Sequence, residues 1–249
     1  MEFQDKIAVV TGAGGNIGRH IALRFAKGGA KVAVIDWSGE TAERTAAEIR
    51  SLGGEAEAFV CDIKEYANVH ATFEQIIARW GRVDILATAA GGSTRQLITT
   101  MAKQSPQVIT DNIGVNLFGA LWSAKEAAID FERRQAAGRI ICITSILGLQ
   151  GMQGCVEYST AKAGIIAMVK SLAKELGHLG ATVNCVSPGL VNRPDEHHDV
   201  SHTNFLGKMC TADDITDAVE FLASDKAKFV TGHNLIVDGG RSLGLKGVN

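Results

Sequence analysis

The run Lys6-Ile7-Ala8-Val9-Val10-Thr11-Gly12-Ala13-Gly14-Gly15-Asn16-Ile17-Gly18 decides the fold. Its first six residues form a short, β-branched apolar run, the mark of a strand buried on both faces. Gly12 to Gly15 break that run, and Ile17, Ile21 and Phe25 then recur at helical spacing until Gly28-Gly29. Strand, glycine turn and helix thus occupy fewer than thirty residues.

The rhythm continues outward. Lys31 to Ile35 reads as a second strand ending at Asp36, and Thr41 to Leu52 as a helix stopped by Gly53-Gly54. Ala56 to Cys61 is a third strand ending at Asp62, a helix runs to Trp80, and Val83 to Ala87 leads into Ala89-Ala90-Gly91-Gly92. No hairpin signal separates these units, so they imply a parallel sheet with helices on both faces. A helical stretch from about Gln107 to Arg134 follows, with strands at Arg139–Thr144, Thr182–Ser187 and Asn234–Val237 and a helix from Asp213 to Ala223. The expectation is α/β: one doubly wound, Rossmann-type domain over residues 1–249, with about seven parallel strands. Residues 190–210 break the pattern and read as a short, mobile substrate loop.

Bulk composition narrows the function. A 46% hydrophobic fraction with 21% charged residues is globular, and a net charge of −2 gives no reason to expect nucleic acid or an anionic membrane as partner. No apolar run reaches the ~18 residues of a membrane span. The five cysteines are scattered, with no C-x-x-C pair, and read as free buried thiols of a cytoplasmic protein.

In such a sheet, ligands bind beyond the carboxyl ends of the strands, and the first turn is where a dinucleotide pyrophosphate meets free N–H groups and a helix dipole. The literal G-x-G-x-x-G is absent because position 17 is Ile; the run is Gly12-x-x-x-Asn16-x-Gly18. Asp36 stands 24 residues after Gly12, where a carboxylate accepts hydrogen bonds from the adenosine ribose and repels a 2′-phosphate. With no basic residue in Ala13 to Ile17, NAD is expected over NADP. A helix N-cap is the competing reading of Asp36, and Asp62 carries the same ambiguity.

The chemistry points to Tyr158-Ser159-Thr160-Ala161-Lys162, thirteen residues after Ser145. Tyr158 and Lys162 lie one helical turn apart on one face. A phenol with an unperturbed pKa of ~10 is a poor base at neutral pH, and a nearby ammonium lowers it. Ser145, brought by the preceding strand, would share a substrate oxygen with the tyrosine. Two unrelated surface side chains are the alternative.

Together the pieces resemble the short-chain dehydrogenase/reductase family. The landmarks are Thr11-Gly12-(x)3-Asn16-Ile17-Gly18, Asp36, Asp62, Asp84-Ile85-Leu86, Asn116-Leu117-Phe118-Gly119, Ser145, Tyr158-(x)3-Lys162, Pro188-Gly189 and Val237-Asp238-Gly239-Gly240. The resemblance implies a nicotinamide-dependent oxidoreductase, a homotetramer, with catalytic Asn116, Ser145, Tyr158 and Lys162. Lys162 would also hold the nicotinamide ribose, and Asn116 would join it to a water relay unless it is simply a buried residue at a helix kink. The implied cofactor-binding set is Gly12, Gly14, Gly15, Asn16, Ile17, Asp36, Asp62, Ile63, Ala89, Ala90, Gly91, Tyr158, Lys162, Pro188, Gly189 and Val191.

Three positions depart from the family pattern. Asn16 replaces a turn glycine, where its tolerance of left-handed backbone would adjust the turn. Thr88-Ala89-Ala90-Gly91 replaces Asn-Asn-Ala-Gly, so hydrogen bonding there must be solved differently. Arg193 stands where a threonine often meets the nicotinamide carboxamide. Substrate candidates are Ser93, Arg95, Leu147, Gln153, Asn192 and Arg193; Arg95 and Arg193 would clamp an anion or be solvated loop residues. The expected substrate is a small secondary alcohol or ketone, polar or anionic. A 3-oxoacyl-thioester reductase is the second reading and a non-catalytic NAD-binding regulator the third. His197, His198 and His202 have ligand-like spacing, but their acidic, solvated context argues against a metal.

Overall fold

The computed structural model describes residues 1–92, 98–192 and 199–244. The apolar runs become seven strands: β1 (Ile7–Thr11), β2 (Lys31–Asp36), β3 (Glu55–Val60), β4 (Ile85–Thr88), β5 (Arg139–Ile143), β6 (Thr182–Pro188) and β7 (Asn234–Val237). They form one parallel sheet in the order β3-β2-β1-β4-β5-β6-β7. Strand order reverses between β1 and β4. The chain leaves these two neighbours in opposite directions, which opens a crevice at their carboxyl ends.

Each strand is covered on both faces because its side chains alternate between them. Ile7 and Val9 of β1 join one core cluster, with Phe73, Phe131 and Ile165 from α3 (Tyr66–Trp80), α5 (Gly119–Arg134) and α7 (Val156–Leu176). Ala8 and Val10 join the other, with Phe25, Ile49 and Val219 from α1 (Asn16–Lys27), α2 (Gly39–Ser51) and α8 (Ala212–Ala223). The two remaining α-helices among the described residues are α4 (Pro106–Ile113) and the single-turn α6 (Leu147–Gln150).

One sequence expectation needs correction. The helix expected over 107–134 is not uniform: a π-helical turn, Gly114–Phe118, separates α4 from α5, and the Gly119 N–H donates to the Gly114 carbonyl. Apolar periodicity does not report one inserted residue in a helix, and π-turns of this kind concentrate at functional sites. The expected mobile loop is anchored wherever it is described. Val191 bridges Cys210, and the Asn192 N–H donates to the Cys210 carbonyl at 2.7 Å. Ser201–Thr203 forms a 3-10 turn, and buried Asn204 donates to the Lys208 carbonyl at 2.8 Å.

Among the described residues no helix is long and apolar enough to cross a membrane. All five cysteines are free; four are buried and Cys210 is partly exposed.

Candidate active site

At the carboxyl edge of the sheet a cleft of about 710 Å³ runs from the β1 turn to Tyr158. Its outer end is backbone. Gly12 has φ +67°, and a Cβ there would stand 2.5 Å from the Ala90 Cα. A Cβ on Gly18 would overlap the Gly12 carbonyl. Glycine at both positions lets the β1 turn, the α1 terminus and the β4 loop pack against each other. The first turn of α1 has no side-chain cap and no acidic residue, so its free N–H groups and positive dipole end remain available to an anion.

Asp36, at the end of β2, is 7% exposed and lines this cleft. Its Oδ2 accepts from the Gly14 N–H at 3.0 Å, and its Oδ1 from the Ser38 N–H and the Thr41 hydroxyl, both at 3.1 Å. The N-cap of α2 is Ser38, not Asp36. Gly14, expected to bind cofactor, spends its N–H on Asp36 and lies off the cleft wall. Asn16 begins α1 with ordinary helical backbone, so left-handed tolerance is not why it is accepted. Its carboxamide instead crosses to the Asn192 carbonyl at 3.1 Å. Asp62 is exposed on the wall, and Lys64 lies between it and Asp111, with N–O distances of 3.8 and 3.4 Å.

The inner end gathers Ser145, Tyr158 and Lys162 on the cleft wall. Ser145 follows β5 and is tied to β6 on either side: the Thr144 N–H donates to the Val186 carbonyl at 2.8 Å, and the Ile146 N–H to the Pro188 carbonyl at 3.1 Å. Its Oγ accepts from the Leu147 N–H at 3.2 Å, which leaves the hydroxyl hydrogen for another acceptor. Tyr158 is partly exposed, and the Lys162 Nζ sits 5.6 Å from its ring centre. Lys162 is buried and donates to the Ile143 carbonyl at 3.1 Å. Burial pushes its ammonium down to about 8.

Asn116 lies behind the wall, in the π-turn. Its Oδ1 accepts from the Gly92 N–H and its Nδ2 donates to the Gly92 carbonyl, both at 3.1 Å. A Cβ on Gly91 would overlap the Asn116 Oδ1 and stand 3.4 Å from the Lys162 Nζ.

The other expected residues divide. Gly15, Ile17, Ile63, Ala89, Ala90, Gly91, Pro188, Gly189 and Val191 all line the cleft. Leu147 begins α6 beside Ser145, and Gln153 is exposed in the following turn. Ser93, Arg95, Arg193, His197 and His198 lie outside the described residues. Among the described residues no group of three metal-ligating side chains occurs. In place of the expected asparagine, the Ala90 N–H reaches the Thr11 hydroxyl at 3.4 Å, and the buried Thr88 hydroxyl has no hydrogen-bond partner among the described residues. Sequence reasoning missed Trp37, Lys64, Val115 and Thr144 on the wall. Trp37 was within reach of it: an 80% exposed tryptophan directly after the acidic end of β2 is unusual on a soluble surface.

A family model described as Enoyl-(Acyl carrier protein) reductase matches residues 12–242. The chain belongs to the short-chain dehydrogenase/reductase family. A short-chain dehydrogenase similar to it, (2S)-[(R)-hydroxy(phenyl)methyl]succinyl-CoA dehydrogenase subunit BbsD of Thauera aromatica, is 37% identical over 98% of this chain and 99% of its own. The 3-oxoacyl-[acyl-carrier-protein] reductase FabG of Escherichia coli is 36% identical, covering 96% of this chain and 98% of its own. A solved structure described as ribose-5-phosphate isomerase from Brucella melitensis 16M superposes with a TM-score of 0.88 at 35% identity, over 96% of this chain and 93% of its own.

Members of this family are oxidoreductases acting on CH–OH and keto groups with nicotinamide cofactors. The short-chain dehydrogenase cleft here fits such a group: its volume is within the roughly 300–1,000 Å³ of small-molecule sites, and its Cβ-free turn meets an uncapped helix terminus.

The buried lysine has a measurable consequence. An unfolded Lys162 titrates near 10.5 and the folded one near 8, so between these values the unfolded chain binds the extra proton. Stability therefore rises with pH across that window and is flat in this respect below it. Chemical denaturation from pH 7.5 to 10.5 should show wild type gaining stability relative to Lys162→Met; parallel pH curves would contradict the burial effect.

Proposed function

We propose that this chain is an NAD(H)-dependent oxidoreductase interconverting a secondary alcohol and a ketone, with Tyr158 as the acid/base. What carries the reading is the convergence of Ser145, Tyr158 and Lys162 at one end of a cleft whose other end presents Asp36. Bound nicotinamide supplies the hydride acceptor or donor. In oxidation, Tyr158 as phenolate takes the hydroxyl proton while the substrate carbon loses hydride, leaving a carbonyl. In reduction, the phenol returns the proton to the developing alkoxide. Ser145 donates its free hydroxyl hydrogen to the substrate oxygen and stabilises charge there. The Lys162 ammonium favours the phenolate by charge, and Asn116 works one step back by holding Gly92.

NAD is favoured over NADP by charge. Asp36 faces the cleft, Arg19 on α1 is bound by Glu48, and Lys64 has two carboxylate neighbours. No free cation among them offers itself to a 2′-phosphate. Replacing Asp36 with Ala should lower kcat/KM with NADH by roughly 10-fold, about 1.4 kcal/mol, and raise it with NADPH. An unchanged NADH/NADPH ratio would exclude Asp36 as the determinant.

For the substrate, a small polar alcohol or ketone is the first reading. The acyl thioesters printed in the relatives' names favour a 3-hydroxyacyl or 3-oxoacyl thioester as the second. The decisive experiment follows NADH absorbance with a panel of both classes. Tyr158→Phe should lower turnover by at least about 10² while NADH binding persists. Retention of most activity would sink the assignment, whereas NADH binding without any turnover would favour a regulator.

We assign the protein as a homo-oligomer, with a tetramer preferred. Ile165, Ile166 and Val169 of α7 face the chain's own core, but Met168 and Leu172 line a groove with Leu121, Ile129 and other α5 residues. A second copy laid across α5 and α7 would bury that apolar surface.

A further inference from the structure

Asn112, the penultimate residue of α4, is 6% exposed. An isolated asparagine in a helix carries no signal in the sequence. A buried carboxamide is costly unless its groups are paired. Here the pairing is specific. The Asn116 Nδ2, which also donates to Gly92, shares its hydrogens between the Asn112 Oδ1 at 3.2 Å and the Asn112 carbonyl at 3.1 Å. Asn112 and Asn116 are four residues apart, on either side of the change from α-helical to π-helical backbone. Their side chains form a two-step ladder, from Asn112 to Asn116 to both backbone groups of Gly92.

The polarity leaves one arrangement. Gly92 offers an N–H and a C=O, so the Asn116 Oδ1 must face the former and its Nδ2 the latter. Rotating the carboxamide by half a turn would put donor against donor and acceptor against acceptor. The Asn112 Oδ1 and carbonyl reinforce this orientation because both are acceptors presented to the Nδ2 side. The same Asn116 Oδ1 occupies the space a Cβ of Gly91 would need, beside the Lys162 Nζ. Gly91, Gly92 and Lys162 all line the cleft.

We propose that Asn112 is a positioning residue: through the Asn116 carboxamide it holds the Gly91-Gly92 wall of the cleft in register with Lys162. The inference deepens the oxidoreductase reading and rests on it for its kinetic consequence, but not for its structural one. Without the Asn112 Oδ1, the Asn116 carboxamide keeps Gly92 and the Asn112 carbonyl but is held less firmly, and the Gly92 N–H loses its partner for part of the time. The wall beside Lys162 then wanders, which lowers turnover more than cofactor binding, because most of the cofactor cradle is built elsewhere from β1, α1 and β2.

The test uses the full-length protein and two readouts. The first is hydrogen exchange of the Gly92 amide, measured without cofactor or substrate. Asn112→Leu keeps the side chain's approximate volume and removes its acceptor; it should speed that exchange by about 10-fold. Asn112→Asp restores an accepting oxygen and should bring exchange back toward wild type. In an Asn116→Ala background, where the ladder is already broken, Asn112→Leu should add nothing. Unchanged Gly92 exchange in Asn112→Leu, or an undiminished effect in the Asn116→Ala background, overturns the proposal.

The second readout is steady-state kinetics on whichever substrate of the panel is turned over. Asn112→Leu should lower kcat by on the order of 10-fold, with the KM for NADH within about twofold of wild type. A merely structural asparagine would lower thermal stability without that split. If exchange responds as expected while wild type turns nothing over, the ladder stands and the oxidoreductase reading fails.

Discussion

The rest of the site depends on one close backbone approach. At the switch point between β1 and β4, Gly12 passes so near Ala90 that no side chain fits between them. That approach lets two neighbouring strands send their chains apart and still share a wall, so this end of the cleft is lined by main chain. Gly18 repeats the device in the first turn of α1, where its missing Cβ admits the Gly12 carbonyl. A dinucleotide needs such a surface: phosphates are held by N–H groups, and N–H groups are reachable only where side chains are absent.

At the other end of the cleft, burial matters more than shape. Lys162 is under the wall with one carbonyl partner, and that environment brings its titration down toward neutrality. A charge is placed in a poorly solvated position a few ångströms from a phenol, where its influence on the tyrosine is stronger than on a surface helix. Asn116 and Asn112 belong to the same arrangement. Their carboxamides fill the space behind Gly91 and Gly92 with directional bonds, where apolar packing would leave the glycine backbone free to shift.

Much of the architecture could be read in advance because its causes are local. Seven apolar runs, each bounded by glycines or acidic ends, became seven strands, and β7 matched its expected bounds. The π-turn was invisible because one extra residue per turn barely disturbs apolar spacing. The short α6 and the anchoring of the segment after Val191 were also missed, since both depend on partners distant in sequence, Ser242 and Cys210 among them. Asn16 was read as a turn residue and is a helix residue: position in a motif suggested one conformation, while the start of α1 imposed another.

What the sequence by itself determined is the order of strands and helices, the glycines of the first turn, and the Tyr158–Lys162 spacing, because each follows from a few consecutive residues. Only the tertiary structure decided that Asp36 is clamped by Gly14, Ser38 and Thr41, that Lys162 is buried, and that Asn116 bonds Gly92 on one side and Asn112 on the other. The longest of these links, Asp36 to Gly14 and Asn116 to Gly92, join positions 22 and 24 residues apart. Their energies come from desolvation and directed hydrogen bonds, which exist only once the sheet has brought the segments together.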